Sequence, residues 1–166
     1  MTMAPQLSSD TPLRIERAHF SNPVHSRAVV ELLDCYHRDP MGEGCPWDVR
    51  RTDELLAGLE RHPTLFVLLA WKGAQAVGMA VCLEGFSTFS ARPLVNIHDL
   101  VVLPEARRQG VAKSLFAAVE SEAGKLGACR VTLEVRKDNA AAQALYASLG
   151  YGAGETPMEF WGKRIS

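Results

Sequence analysis

The sequence predicts a mixed α/β domain in which a single sheet carries helices on both faces. Two observations support this class. Short stretches that alternate apolar and polar residues, which are typical of strands, interchange with longer stretches in which apolar residues recur every three or four positions, as in helices. The chain of 166 residues, 47% of them apolar, is also in the size range of one globular domain with one core.

The first third of the chain is predicted to form one strand and two helices. The strand begins near Leu13, where apolar and polar residues alternate. Asn22 followed by Pro23 is typical of a helix cap and first helical position, and the apolar spacing carries this helix to about His37. A loop with two prolines and two glycines follows, and then a short helix that ends before Pro63.

Three strands are predicted next. Residues 65–71 and 76–83 are joined by a segment of hairpin length and composition, so these two strands should be antiparallel. One face of the second strand carries small residues, which invite close packing: Gly78, Ala80 and Cys82. Residues 94–102 form the third, β-branched strand, which Pro104 ends.

The last part of the chain alternates helices and strands. The longest regular helical pattern covers residues 109–126, and Gly127 is its natural end. Residues 130–136 alternate as a strand, residues 139–149 form an alanine-rich helix, and residues 158–161 are a candidate for a last edge strand. The predicted order is therefore strand, two helices, three strands, helix, strand, helix and short strand.

Composition and charge argue against several classes of function. A net charge of −1 gives no basic surface for nucleic acid, and the apolar run of residues 65–71 is far shorter than the roughly 20 residues that span a bilayer. Residues 1–11 are polar and lack the apolar segment of a secretory signal, so we expect a disordered tail before one domain of residues 12–166. Four scattered cysteines fit a reducing compartment, and the predicted location is cytoplasmic.

A strand that leads through a short turn into the longest helix forms a candidate anion site. The first turn of a helix has backbone N–H groups without an intrahelical partner and a partial positive charge, so it can bind phosphate. Gly110 and Ala112 keep the backbone thin there, and Arg107 and Arg108 add positive charge. This pattern by itself fits a phosphate site and a basic turn before a surface helix equally well.

Two motifs together resemble the GNAT (GCN5-related N-acetyltransferase) family. One opens the helix after the strand and resembles the acetyl-CoA signature of the family, Arg107-x-x-Gly110-x-Ala112. The other closes the next helix, Tyr146-x-x-x-Gly150-Tyr151, with Asn139 at its start. The resemblance implies a mixed, mostly antiparallel sheet of about six to seven strands, splayed at the cofactor strand. It also implies that acetyl-CoA is the co-substrate, that no metal is needed and that the protein can form a homodimer.

The resemblance implies two groups of cofactor-binding residues. The backbone of Leu100, Val101 and Val102 would pair with the pantetheine arm as an extra strand does. The pyrophosphate and the arm would also be held by the turn, the helix start and the next helix: Arg107, Arg108, Gln109, Gly110, Val111, Ala112, Lys113 and Asn139. The family often has glycine in place of Arg108 and Ala112, so the cradle should be slightly crowded. Asn139 also suits a helix cap, and the two roles are compatible.

Tyr146 and His98 are the predicted catalytic residues. The resemblance makes Tyr146 the acid that protonates the departing thiolate, and a phenol with a pKa of about 10 is protonated at neutral pH. His98 and Asp99 interrupt an apolar strand where relatives of the spermidine/spermine type carry a Glu-Asp pair, which makes His98 the candidate base and Asp99 an ammonium ligand. Alternation sends these side chains to opposite faces unless a bulge intervenes. Purely structural roles for Tyr146 and His98 stay open.

The acceptor is predicted to be a primary amine on a small cationic molecule, such as a polyamine or an amino sugar. Carboxylates and aromatic rings suited to it lie in the loop between the first two helices and before the cofactor strand: Asp39, Glu43, Asp48, Glu84, Trp47, Phe86 and Phe89. Solvated loop charges are the alternative for each carboxylate.

Other functions compete with this prediction. A non-catalytic acyl-CoA sensor would keep the cofactor cradle, and an acetyltransferase for a protein amine would share the chemistry. A dinucleotide-binding domain is disfavoured, because the Gly-x-Gly-x-x-Gly spacing is missing. A metal site is disfavoured as well, because Cys35, His37 and Cys45 lack the paired spacing of zinc ligands and an evident fourth ligand.

Overall fold

The computed structural model describes residues 11–154 and 161–165. These residues form five strands and four α-helices, with short 3₁₀ turns at Val49–Arg51 and Pro104–Ala106. In chain order the elements are β1 (Leu13–Arg17), α1 (Pro23–Arg38), α2 (Thr52–Arg61), β2 (Leu65–Lys72), β3 (Gln75–Ser87), β4 (Arg92–Val102), α3 (Val111–Lys125), β5 (Val131–Leu133) and α4 (Ala140–Ser148).

The predicted order of elements is confirmed from the first strand to the last helix. Asn22 caps α1, because its Oδ1 accepts a hydrogen bond of 3.0 Å from the backbone N–H of Val24. The described residues contain five strands, which is fewer than predicted. β5 ends at Leu133, where its pairing with β4 ends, and so does not fill the predicted residues 130–136. The predicted tail of residues 1–11 lies outside the described residues except for Thr11, and the predicted edge strand of residues 158–161 lies outside them except for Trp161. Neither Thr11 nor Trp161 belongs to a strand.

The sheet is mixed and mostly antiparallel, as predicted. Its strand order is β1-β2-β3-β4-β5, with antiparallel pairs up to β4 and a parallel pair between β4 and β5. Among the described residues, β5 pairs only with Val95, Asn96 and Ile97 of β4. Within the described residues, the part of β4 that follows Ile97 pairs with β3 alone. The pairing of β4 with β5 therefore ends where the sheet was predicted to splay at the cofactor strand.

Helices cover both faces of the sheet, and the main core lies beneath α1. Buried residues of β2, β3 and β4 form one cluster with the buried face of α1: Val29, Leu32, Val67, Leu69, Met79, Val81 and Val101. The opposite face carries α3. There a Cβ on Gly78 would lie 3.1 Å from Val111 Cγ1 and 3.3 Å from Leu115 Cδ1, so this glycine allows the helix to pack directly on the strand.

The chain divides into two compact units. Residues 1–134 hold the whole sheet together with α1, α2 and α3, and residues 135–166 hold α4. In the second unit Asn139 caps α4, because its Oδ1 accepts a hydrogen bond of 3.1 Å from the backbone N–H of Ala142. The capping role of Asn139 is therefore confirmed.

Candidate active site

The turn before α3 has the backbone shape of an anion cradle. Arg108 and Gly110 both adopt left-handed backbone conformations, with φ of 61° and 82°. Gly110 is the N-cap of α3, and no side chain in the described part of the chain caps this end of the helix. The N–H groups of the first turn of α3 are therefore open to an anion, which fits the pyrophosphate of acetyl-CoA.

Two side chains of the turn are engaged within the protein. Arg107 donates from Nε to the carbonyl oxygen of Val102 at 3.1 Å and from a terminal nitrogen to Asp39 Oδ2 at 2.8 Å. Gln109 accepts a hydrogen bond from Nζ of the buried Lys72 and donates to the carbonyl oxygen of Glu105 at 2.7 Å. These contacts hold the shape of the turn, and a phosphate would meet the backbone and the exposed Arg108 and Lys113 first. The cofactor role of Arg107 and Gln109 stays a prediction.

A β-bulge in β4 changes how His98 and Asp99 are presented. Val81 pairs with Asp99 and Cys82 pairs with Ile97, so His98 is an extra residue that has no partner on β3. The bulge interrupts the alternation that would otherwise send these two side chains to strictly opposite faces. His98 is exposed and Asp99 is half-buried.

The environment of Asp99 is unlike that of the other carboxylates. Burial raises the pKa of Asp99, the charges of His98 and His37 oppose this rise, and the charge of Glu134 adds to it. No ion pair to a lysine or arginine reaches Asp99 in the described part of the chain. Glu134 follows β5 and accepts a hydrogen bond of 3.0 Å from Asn96 Nδ2.

His37 and Trp47 form an aromatic pair on the same side of the sheet as α1. Their ring centroids are 5.1 Å apart and their planes cross at 71°, an edge-to-face arrangement. Trp47 is fixed by two hydrogen bonds, from its backbone N–H to Asp34 at 2.8 Å and from its indole Nε1 to the Thr52 hydroxyl at 3.2 Å. Sequence reasoning considered His37 only as a metal ligand, because no local pattern relates the end of α1 to β4.

Two of the predicted acceptor carboxylates are already compensated by arginines. Asp39 pairs with Arg107 at 2.8 Å, and a hydrogen bond from the backbone N–H of Met41 together with this arginine lowers the Asp39 pKa. Asp48 pairs with Arg50 at 2.9 Å. No hydrogen bond or ion pair within the described residues joins Asp99 to the other predicted acceptor residues: Glu43, Glu84 and Phe89. Their acceptor role stays a prediction.

Tyr146 belongs to α4, in the second unit. Its side chain is half-buried, and its carbonyl oxygen accepts hydrogen bonds of 3.0 Å from the backbone N–H groups of Leu149 and Tyr151 at the end of the helix. The motif that suggested its role is thus a helix C-terminus closed by Gly150, which has φ of 88°. The catalytic role of Tyr146 stays a prediction.

Among the described residues no three or more His, Cys, Asp or Glu side chains are grouped so that they could hold a metal ion. The same residues include no helix with the length and apolar content needed to cross a bilayer.

Comparison with known proteins identifies the family. Residues 27–151 match the Acetyltransferase (GNAT) family. The chain belongs to this family. Members of this family use acetyl-CoA, and membership makes the GNAT chain an N-acetyltransferase, which is a class of acyltransferase. The resemblance inferred from the two motifs is therefore confirmed.

Two curated relatives of this GNAT chain are N-acetyltransferases. It is 33% identical over 97 residues to the uncharacterized N-acetyltransferase YhfO of Bacillus subtilis, an alignment that covers 58% of this chain and 64% of that protein. It is 29% identical over 133 residues to the [ribosomal protein bS18]-alanine N-acetyltransferase of Escherichia coli, which covers 78% of this chain and 80% of that protein.

Solved structures confirm the GNAT fold. An aminoglycoside acetyltransferase from an uncultured soil metagenomic sample, in complex with sisomicin, matches with a TM-score of 0.78 and 22% identity over 92% of this chain and 97% of that chain. The aminoglycoside N-acetyltransferase AAC(6')-Iy in complex with CoA matches with a TM-score of 0.73 and 22% identity over 98% and 100% of the two chains. At 22% identity these structural matches establish a common fold.

Proposed function

We propose that this GNAT protein transfers the acetyl group of acetyl-CoA to the primary amine of a small cationic molecule, by direct attack in a ternary complex. The observation that carries the proposal is Asp99, a half-buried carboxylate that has no lysine or arginine partner among the described residues. An ionised carboxylate removed from water is costly unless a cation pairs with it. A docked ammonium group would supply that cation.

The contrast with neighbouring carboxylates supports the choice of Asp99. Asp34 pairs with Arg38, Asp39 with Arg107 and Asp48 with Arg50, and hydrogen bonds to these partners contribute to lowering the pKa of each of these carboxyls. These carboxylates are compensated without any ligand. Asp99 instead has a raised pKa and lies in β4 beside the strand segment that the family resemblance assigns to the cofactor.

The described geometry fits acetyl-CoA on two counts. The uncapped start of α3 offers backbone N–H groups to the pyrophosphate. Leu100, Val101 and Val102 pair with β3 on one side and have no β5 partner on the other within the described residues, so their backbone can pair with an extended pantetheine arm. Acetyl-CoA supplies the activated acyl group as a thioester.

The acceptor nitrogen would lose two protons in the proposed reaction, and side chains of the protein would take part in both transfers. The ammonium form of the acceptor must lose a proton before its nitrogen can attack the thioester carbonyl, and His98, exposed at the bulge, would accept this proton through water. As the new C–N bond forms and the C–S bond breaks, Tyr146 would donate its phenolic proton to the departing thiolate, and the second proton that the amide nitrogen loses would restore the phenol of Tyr146 through water. The products are the acetylated amine and free CoA.

A panel of acceptors tests the proposal. Release of CoA thiol is followed with acetyl-CoA and spermidine, sisomicin, glutamate or a peptide that begins with alanine. We expect turnover with spermidine or sisomicin. We expect none with glutamate, because Asp99 would repel the carboxylates of glutamate. Turnover that is confined to neutral or anionic acceptors would contradict the proposal.

A second candidate acceptor is the terminal amine of a protein. The 29% identity to the bS18-alanine N-acetyltransferase, over 78% of this chain, favours it. In the same panel, turnover of the alanine peptide with none of spermidine and sisomicin would select this candidate. A cytoplasmic location and a homodimer stay predictions.

A further inference from the structure

Lys72, the last residue of β2, is a buried cation without an acidic partner. It is 6% exposed, and no Asp or Glu in the described part of the chain forms an ion pair with it. Its Nζ donates a hydrogen bond to Oε1 of Gln109, which lies 37 positions further along the chain. A buried ammonium group is costly unless negative charge compensates it, and one amide oxygen does so only in part.

Lys72 reaches Gln109 because it lies on the face of the sheet that carries α3. Its neighbour Trp71 belongs to the cluster beneath α1, and alternation along β2 directs the next side chain to the opposite face. α3 contacts β2 on that face. Apolar residues are the usual occupants of such a buried position, and lysine is rare there unless its charge is paired. Packing alone therefore does not explain a lysine at this point.

Gln109 is one of two anchors that hold the turn before α3. Arg108 lies between the anchors with φ of 61°, a left-handed conformation that is unfavourable for a residue with a Cβ and persists only where its surroundings hold it. On one side, Arg107 donates hydrogen bonds of 3.1 and 2.8 Å. On the other side, Gln109 donates to the carbonyl oxygen of Glu105 at 2.7 Å and accepts from Lys72. The buried lysine thus ties the turn to β2.

We propose that Lys72 is a positioning residue of the cofactor cradle, which fixes the turn before α3 through Gln109 and adds a buried positive charge beside it. The inference rests on the proposed function only in placing the pyrophosphate of acetyl-CoA at the start of α3. Gly110, the N-cap of α3, directly follows Gln109, so the anchored residue adjoins the N–H groups that would bind the pyrophosphate. The negative charge of the pyrophosphate would supply the compensation that Lys72 lacks within the described residues.

The test compares Lys72→Met with Lys125→Met, the same substitution at an exposed position in the last turn of α3. Isothermal titration measures the Kd for CoA, and ¹H–¹⁵N NMR titration measures the Kd for pantetheine, which lacks the pyrophosphate. We expect Lys72→Met to raise the Kd for CoA roughly tenfold without changing the Kd for pantetheine. Lys125→Met should bind both ligands as the wild type does. Lys72→Gln, which has no charge, gives the same comparison should Lys72→Met fail to fold.

A double-mutant cycle tests whether Lys72 acts through Gln109. Gln109→Met should weaken CoA binding, and the double variant should bind CoA no more weakly than Lys72→Met does. Additive losses, a wild-type Kd for CoA in Lys72→Met, or an equal loss for pantetheine each overturn the inference. Backbone signals of residues 110–113 that do not respond to CoA in the wild type would overturn the cofactor site, and this inference with it. No acceptor is present in these titrations, so the acceptor panel can fail while the role of Lys72 stands.

Discussion

Replacing Gly110 with glutamate should disrupt the cofactor cradle in two ways. Gly110 has φ of 82°, a conformation that costs a residue with a Cβ about 1–2 kcal/mol. Apart from its chain neighbours, no described residue has an atom within 4 Å of a Cβ placed there, so backbone strain and charge, rather than a clash, cause the effect. The added carboxylate would lie at the start of α3, where the pyrophosphate is expected, and like charges repel. We expect the Kd for CoA to rise at least tenfold, which is about 1.4 kcal/mol or more.

Isothermal titration with CoA measures this effect, and two further variants separate its causes. Gly110→Ala introduces the strain without the charge, so it should lower stability while changing the Kd less than Gly110→Glu does. Gly124→Glu adds the same charge to α3 at an open position without positive φ, and its Kd should match that of the wild type. Equal Kd values for Gly110→Glu and wild type would refute the assignment of the cradle.

Substitutions of Tyr146, Asp99 and Gly78 have expected outcomes as well. Tyr146→Phe, which removes only the hydroxyl, should lower kcat by about 10²-fold and leave CoA affinity unchanged; an unaltered kcat when chemistry limits the rate would return Tyr146 to a structural role. Asp99→Asn should raise KM for cationic amines more than it lowers kcat. Burial raises the pKa of Asp99, so ionisation of this carboxyl lowers the free energy of unfolding as pH rises through the raised pKa. Asp99→Asn removes this cost, so its Tm should exceed that of the wild type at pH 7. The difference in Tm should disappear at pH values below the ordinary carboxyl pKa. Gly78→Ala would place a Cβ 2.8 Å from the Val101 carbonyl oxygen and should cost roughly 1–3 kcal/mol in urea unfolding, whereas Gly124→Ala should gain about 0.5–1 kcal/mol.

Features with a local cause could be predicted from the sequence. The cap at Asn22, the end of α3 before the left-handed Gly127 and the short turn after Pro104 each depend on the conformational preferences of one or two residues. The periods of 3.6 and 2 residues placed the helices and strands for the same reason, since each pattern repeats within its own segment. The two motifs that indicated the family are local as well.

Features that depend on distant partners could not be predicted. The bulge at His98 exists because β3 and β4 change register there, and register is a property of two strands. Arg107 and Asp39 were assigned to cofactor and acceptor, yet they pair with each other across 68 positions of sequence.

The sequence by itself determined the family and the order of the elements, because these follow from patterns within single segments. The tertiary structure decided which charges are left uncompensated. It paired Asp39 with Arg107 across 68 positions of sequence, and it left Asp99 without a lysine or arginine partner among the described residues. Charges act through space over distances that chain folding alone sets, so the pairing of Asp39 with Arg107 could not be predicted from neighbouring residues.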